Sequence, residues 1–238
     1  MPAFLRFCTK SDLSGYTLII PSVSVGNVPQ LTVDLLITTY NFKKCATIWH
    51  SAIVPSVGSN PYDSKCSDLC TACEIYSNED LKLAALQIRS TIDYRIASRF
   101  FLDLKEKLQT LFIKNVTILS GMFDYEQHIV TKNKFYYISA GEDERLVQCN
   151  NITLLERVIN GKYNSNGSGF AFKLYETLST DFRCTVLGKY ISEGDNRPDA
   201  CMFLEKLVYI LDLNSAMDLI IPSSWNFVFG APPPIEIY

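Results

Sequence analysis

Twice in this chain an apolar run of strand length passes through a Gly/Asx turn and an early proline into a helix. The first unit is Tyr16 to Ile20, followed by Pro21-Ser-Val-Ser-Val-Gly26-Asn27-Val28-Pro29-Gln30-Leu31. The second is Thr185 to Ile191, followed by Ser192-Glu-Gly-Asp-Asn-Arg-Pro-Asp199 and a helix with Ala200, Phe203, Leu204, Leu207 and Leu211 inward. In the first turn, Gly26 admits backbone angles that a β-carbon forbids. Asn27 is a helix-capping residue type with Gln30 three positions on, the spacing of a capping box. Pro29 falls where a missing N–H costs nothing. We read Gly26 and Asn27 as a structural turn that sets the angle between strand and helix.

Between these units the pattern keeps alternating. Ala46 to His50, Leu83 to Ile88, Val116 to Leu119 and Phe135 to Ser139 are strand-like. Ile96, Phe100, Leu104, Leu108 and Leu111 recur at helical spacing, with Arg99, Asp103 and Lys107 as i,i+4 pairs on the opposite face. Ser120-Gly121 reads as a turn, and Asn160 to Gly169 as a mobile polar loop. Alternating strands and helices predict an α/β fold, a mostly parallel central sheet between two helical layers. The expected organisation is one domain over residues 1–230 and a proline-rich tail over 231–238.

Composition narrows the function classes. With 22 basic against 25 acidic side chains, the chain lacks the basic footprint of nonspecific nucleic-acid binding. No apolar stretch reaches membrane-spanning length, and no polybasic run marks a membrane surface. The first ten residues do not read as a signal peptide. The expectation is therefore a cytoplasmic and nuclear protein with reduced thiols and unmodified sequons at Asn115, Asn151 and Asn166.

Candidate chemistry is sparse. The Gly26 turn has the shape of a phosphate loop but a single glycine, and no Lys or Arg lies between Lys10 and Lys43, so a plain strand-to-helix connection is favoured. Cys66, Cys70 and Cys73 have a spacing that can hold an iron–sulfur cluster, yet they fall in the polar stretch from Asn60 to Cys73 and are read as incidental loop cysteines. His50 and His128 sit in no nucleophile motif. Glu193 and Asp195 form an acidic turn that suits a helix start. No catalytic residue, cofactor site or metal site is assigned. The C-terminus differs: Pro232-Pro233-Pro234 favour a stiff spacer of about 3.1 Å per residue, ending in Ile235-Glu236-Ile237-Tyr238. An aliphatic group, an aromatic ring and a terminal charge suit docking in a partner's pocket; a frayed terminus is the other reading.

Five blocks, in order, resemble the proteasome assembly chaperone 2 family. They are Pro21-Ser-Val-Ser-Val-Gly-Asn-Val28 with Gln30-Leu31 and Asp34-Leu35; Val54-Pro55, Val57-Gly58 and Asn60-Pro61-Tyr62; Leu86-Gln87 and Arg89-Ser90; Ser192 to Ala200; and Ile221-Pro-Ser-Ser-Trp225 with Phe229-Gly230. The resemblance implies a phosphorylase-like α/β/α fold and a non-catalytic chaperone. It implies a heterodimer with proteasome assembly chaperone 1 on the α-ring of the 20S proteasome, promoting ring formation and preventing unproductive ring dimerisation. It also implies partner-binding tails with tyrosine second from last, whereas here Ile237 holds that place and Tyr238 is last. Ile235, Glu236, Ile237 and Tyr238 are carried over as the partner-binding tail. A small-molecule enzyme of phosphorylase-like fold, binding a phosphorylated ligand between the Gly26 loop and the Glu193–Asp195 turn, is the alternative. It predicts a deep polar pocket at the sheet's carboxyl edge.

Overall fold

The computed structural model describes residues 4–9, 11–126, 134–141, 144–157, 161–163, 166–215 and 217–227. The tail over 231–238, with Ile235, Glu236, Ile237 and Tyr238, and His128 lie outside the described residues. Five strands run the same way: β2 (Thr17–Pro21), β3 (Lys43–Ile48), β7 (Leu83–Ile88), β8 (Asn115–Phe123) and β11 (Arg183–Ile191). Against them run β1 (Leu5–Phe7), β6 (Cys73–Asn78), β9 (Phe135–Ser139) and β10 (Ile152–Leu154). Among the described residues they form one nine-stranded sheet in the order β1-β3-β6-β7-β2-β8-β11-β9-β10. A short ribbon of β4 (Val57–Ser59) and β5 (Leu69–Thr71) stands apart from it.

The centre of the sheet, β7-β2-β8-β11, is wholly parallel and apolar on both faces, as buried parallel strands must be. Alternation along β2 divides the core: Leu18 and Ile20 face one helical layer, Ile19 the other. The first layer holds α2 (Ala97–Thr110) and α4 (Ala171–Leu178), whose Phe100, Phe101, Leu104, Phe172 and Leu178 pack beneath the sheet. The second holds α1 (Val28–Thr39) and α5 (Arg197–Leu211), which pack on each other and on the sheet through Val33, Leu36, Phe203 and Leu207. A short helix, α3 (Glu144–Gln148), precedes β10. The three-layer α/β/α architecture is the expected one.

Several local readings change. Ser120 and Gly121 do not leave the sheet; they continue β8 in register with Gly188 and Lys189. Gly121 gives room, since a β-carbon there would stand 2.7 Å from Ile191 Cδ1 and 3.2 Å from Ser24 Oγ. The stretch from Asn60 to Cys73 is not all surface loop: Cys70 and Cys73 lie on β5 and β6 with their side chains buried. The third strand starts earlier and ends earlier than Ala46 to His50 suggested, because His50 Nδ1 accepts the Ala52 N–H and closes a turn. The end of the glycine-rich loop is fixed rather than mobile. Ser168 is fully buried, its carbonyl accepts from Ser22 Oγ, and the Val25 N–H donates to Gly167 O.

The capping box does not form. Gly26 and Asn27 both take left-handed angles (φ 66° and 50°), so Asn27 lacks the extended backbone from which an N-cap side chain reaches back. Asn196 likewise makes no side-chain cap bond on α5. Instead the two turns meet: a β-carbon on Gly26 would lie 2.4 Å from Asn196 Nδ2 and 3.3 Å from Ile191 Cγ2. The repeated motif thus packs against its own second copy.

Candidate functional site at the carboxyl edge of the sheet

Strands β2, β3, β7, β8 and β11 all end at one edge, where open α/β sheets hold their ligands. The sequence blocks singled out above gather there. Ser22 to Asn27 follows β2, Val54 to Tyr62 follows β3, Arg89-Ser90 follows β7, and Ser192 to Asn196 follows β11. The 3-10 helix Ser223–Phe227 is tied to the same end, because Ser224 N–H and Ser223 Oγ both donate to Pro61 O (3.1 and 3.2 Å).

A buried polar network links these segments. Asp34, one and a half turns into α1 and 4% exposed, accepts from Arg89 Nη2 (2.6 Å), Gln87 Nε2 (2.6 Å) and Tyr62 Oη (2.8 Å) on Oδ1. Arg89 Nη1 reaches its other oxygen at 3.3 Å. Arg89 Nη2 also donates to Tyr62 Oη (2.8 Å), and the guanidinium lies 5.4 Å from the Tyr62 ring centre. Tyr62 meets Tyr76 edge-on at 5.3 Å, and Tyr76 Oη donates to Glu74 Oε2 (2.6 Å). Glu74, 1% exposed, is further held by Lys44 and by the Thr71 N–H (2.8 Å) and hydroxyl (3.0 Å). Two carboxylates are buried, and each is matched by a cation and by neutral donors, the condition for tolerating buried charge.

Electrostatics follow. Burial acts to lower the Arg89 pKa, but Asp34 overrides it and keeps the guanidinium charged. Burial, with Asp34 adding to it, pushes the Tyr62 phenol well above its usual range. Burial acts to raise Glu74, yet hydrogen bonds from Lys44, Tyr76 and Thr71 hold its carboxyl below the ordinary value. A group depressed on folding contributes stability above its unfolded pKa, ~4.3 for Glu, and loses that contribution as pH falls through the folded value. Urea unfolding of the wild type is expected to lose stability between pH ~4.3 and lower pH more steeply than Glu74→Gln. Parallel curves for the two proteins would show that Glu74 is not the linked group.

Among the described residues, the buried acids at this edge are each paired with a base. His50 Nε2 faces Asp103 Oδ2 at 3.2 Å while its other ring nitrogen is occupied. Asp103 also pairs with Arg99, as the i,i+4 spacing predicted. Glu193 and Asp195 are exposed, and Asp195 pairs with Arg197 at 2.7 Å. An open depression of about 440 Å³ lies between Asn27, Gln30, Asp34 and Arg89 to Thr91. Its charged pair is already self-neutralised, unlike the basic cradle a phosphate needs. Among the described residues no group of three or more His, Cys, Asp or Glu is placed to hold a metal.

Residues 18–178 match the model of the PAC2 family. The chain belongs to the PAC2 family. It is 33% identical to the Homo sapiens protein named Proteasome assembly chaperone 2, over 95% of this chain and 96% of that one. It is 30% identical to the Xenopus tropicalis protein of the same name, over 99% and 100%. Among solved structures, Pyrococcus furiosus PbaA, described as an archaeal homolog of proteasome-assembly chaperone, superposes with a TM-score of 0.68 at 13% identity, covering 89% of this chain and 88% of that one. Pyrococcus furiosus PbaB, described as an archaeal proteasome activator, gives 0.62 at 16% identity, over 88% and 89%. These two likenesses show the fold. The edge was partly visible in sequence: Asp34, Tyr62, Gln87 and Arg89 all lie in the blocks quoted above, but nothing in their spacing announced that they meet. Glu74, Tyr76 and Lys44 carried no signal at all.

Proposed function

We propose that this chain is a non-catalytic chaperone of 20S proteasome assembly. It works as a heterodimer with proteasome assembly chaperone 1, in cytoplasm and nucleus, promoting α-ring formation and preventing unproductive α-ring dimerisation. The observation that carries this reading is the near full-length likeness to proteins named Proteasome assembly chaperone 2. The pairing of the buried acids at the edge supports it, since Asp34 accepts from Arg89 and Tyr62, and Glu74 from Tyr76 and Thr71. Ile235, Glu236, Ile237 and Tyr238 serve as the tail that docks between α-subunits.

Co-expression with proteasome assembly chaperone 1 and 20S α-subunits, followed by native mass spectrometry, tests the reading. A one-to-one heterodimer bound to α-subunits is the expected species. Deleting Ile237 and Tyr238 should weaken α-ring retention by about tenfold, equivalent to ~1.4 kcal/mol, with the heterodimer intact. Unchanged retention removes the tail from the proposal, and no association with either partner removes the proposal itself.

A further inference from the structure

Among the eight cysteines, four are chemically shut. Burial pushes Cys45 and Cys70 up to about 11 and Cys184 up to about 12, and raises Cys73 further still. Thiols so raised are poor nucleophiles. Cys149, just beyond α3, is buried as well but stands beside an amine. Lys206 of α5 extends its ammonium across the Phe135 ring, 5.4 Å from the centroid, and donates to Asn150 O at 2.9 Å and to Cys149 Sγ at 3.5 Å. An amine and a thiol on separate elements are thus held at contact distance by two further anchors on the lysine. Independently of that contact, an open depression of about 350 Å³, lined by Lys206, Phe135, Asn151 and Met202, leads solvent up to the lysine. Cys149 does not itself line that depression, so Lys206 is the member of the pair that solvent reaches there.

We propose that Cys149 and Lys206 form a reversible oxidative cross-link, with hydrogen peroxide as the oxidant. In the first step Cys149 Sγ attacks one peroxide oxygen and the O–O bond breaks. Water leaves with the thiol proton, giving a sulfenic acid; sulfur is oxidised by two electrons and peroxide is reduced. In the second step the Lys206 ammonium gives one proton to solvent, the resulting amine attacks that sulfur, the S–O bond breaks, and a second water leaves with a hydrogen from nitrogen. The product is a single S–N bond, and thiol, amine and peroxide have become sulfenamide and two waters. An excess of small thiol reverses it, returning thiol and amine. The bond ties the segment entering the edge strand β10 to α5, the helix that packs on α1.

Peptide-resolved mass spectrometry of the full chain under limiting peroxide tests this. The expected product is a linked peptide containing Cys149 and Lys206, lighter by two hydrogens than its separate halves, resistant to trypsin at Lys206 and released by dithiothreitol. Lys206→Arg keeps the cation and its donors but lacks a condensing amine, so its Cys149 should instead accumulate as a dimedone-reactive sulfenic acid. Circular dichroism establishes that this variant is folded. Either of two results overturns the proposal: Cys149 unmodified while the exposed Cys8 is oxidised in the same sample, or Cys149 carried on to sulfinic acid in the wild type with Lys206 still cleaved.

Discussion

Arg89→Met is expected to lower the unfolding free energy by about 3–5 kcal/mol, because it strands a buried carboxylate. Asp34 is almost wholly buried and accepts two of its four hydrogen bonds from Arg89. The remaining donors, Gln87 and Tyr62, are neutral and cannot offset a full charge in that setting. Tyr62 also loses the donor and the cation that sit against it. Since Tyr62 follows Pro61, and Pro61 O anchors the Ser223–Phe227 helix, protection of that helix should fall along with global stability. Urea unfolding and amide exchange of residues 223–226 provide the measurements. Asp34→Leu combined with Arg89→Met removes both charges and should recover more than half of the loss, as replaced buried pairs commonly do. A single-variant loss under ~1 kcal/mol would place the pair with solvent-screened surface bridges, despite its burial.

Gly26→Ala is expected to cost about 3 kcal/mol, from two separable sources. A left-handed backbone angle strains any residue with a β-carbon by about 1 kcal/mol or more. The new methyl group also meets Asn196 Nδ2 at 2.4 Å and Ile191 Cγ2 at 3.3 Å. The remaining cost, roughly 1–3 kcal/mol, is that of overpacking. Asn196→Gly in the Gly26→Ala background removes the Asn196 clash and leaves the strain and the Ile191 contact, so a double-mutant cycle isolates the clash between the two turns. Thermal or urea unfolding of the four proteins gives the cycle. Additive losses would mean that the two turns do not touch in solution.

The architecture was legible because it rests on residue patterns that act locally. Leu83–Ile88 and Phe135–Ser139 are strands with the bounds their apolar runs suggest. The helix carrying Phe100, Leu104 and Leu108 follows from helical spacing alone. What escaped was decided by neighbours distant in the chain. Gly121 looks like a turn residue until Ile191 and Ser24 are seen to need its missing side chain. Asn27 looks like a cap until its backbone is found in the left-handed region. Cys70 and Cys73 look exposed because Asp63, Lys65 and Asp68 make the stretch before them polar, yet both are buried, on β5 and β6. The Asp34–Arg89–Tyr62 cluster illustrates the same limit. Its three members come from a helix, a strand end and a loop, and no short-range rule couples them.

The strand order carries a cost during synthesis. β2 sits at the middle of the finished sheet, but it precedes both of its partner strands, β7 and β8, in the chain. Thr17 pairs with Leu83 on one side and with Asn115 on the other. At roughly 5–20 residues per second, the ~100 residues between Thr17 and Asn115 take on the order of 5–20 s to translate. Until β7 is made, Thr-Leu-Ile-Ile presents two open hydrogen-bonding edges, and until β8 is made it still presents one, with no charge to discourage a stranger. Nascent copies on one polysome are therefore at risk of pairing through this strand with each other before either owns a sheet.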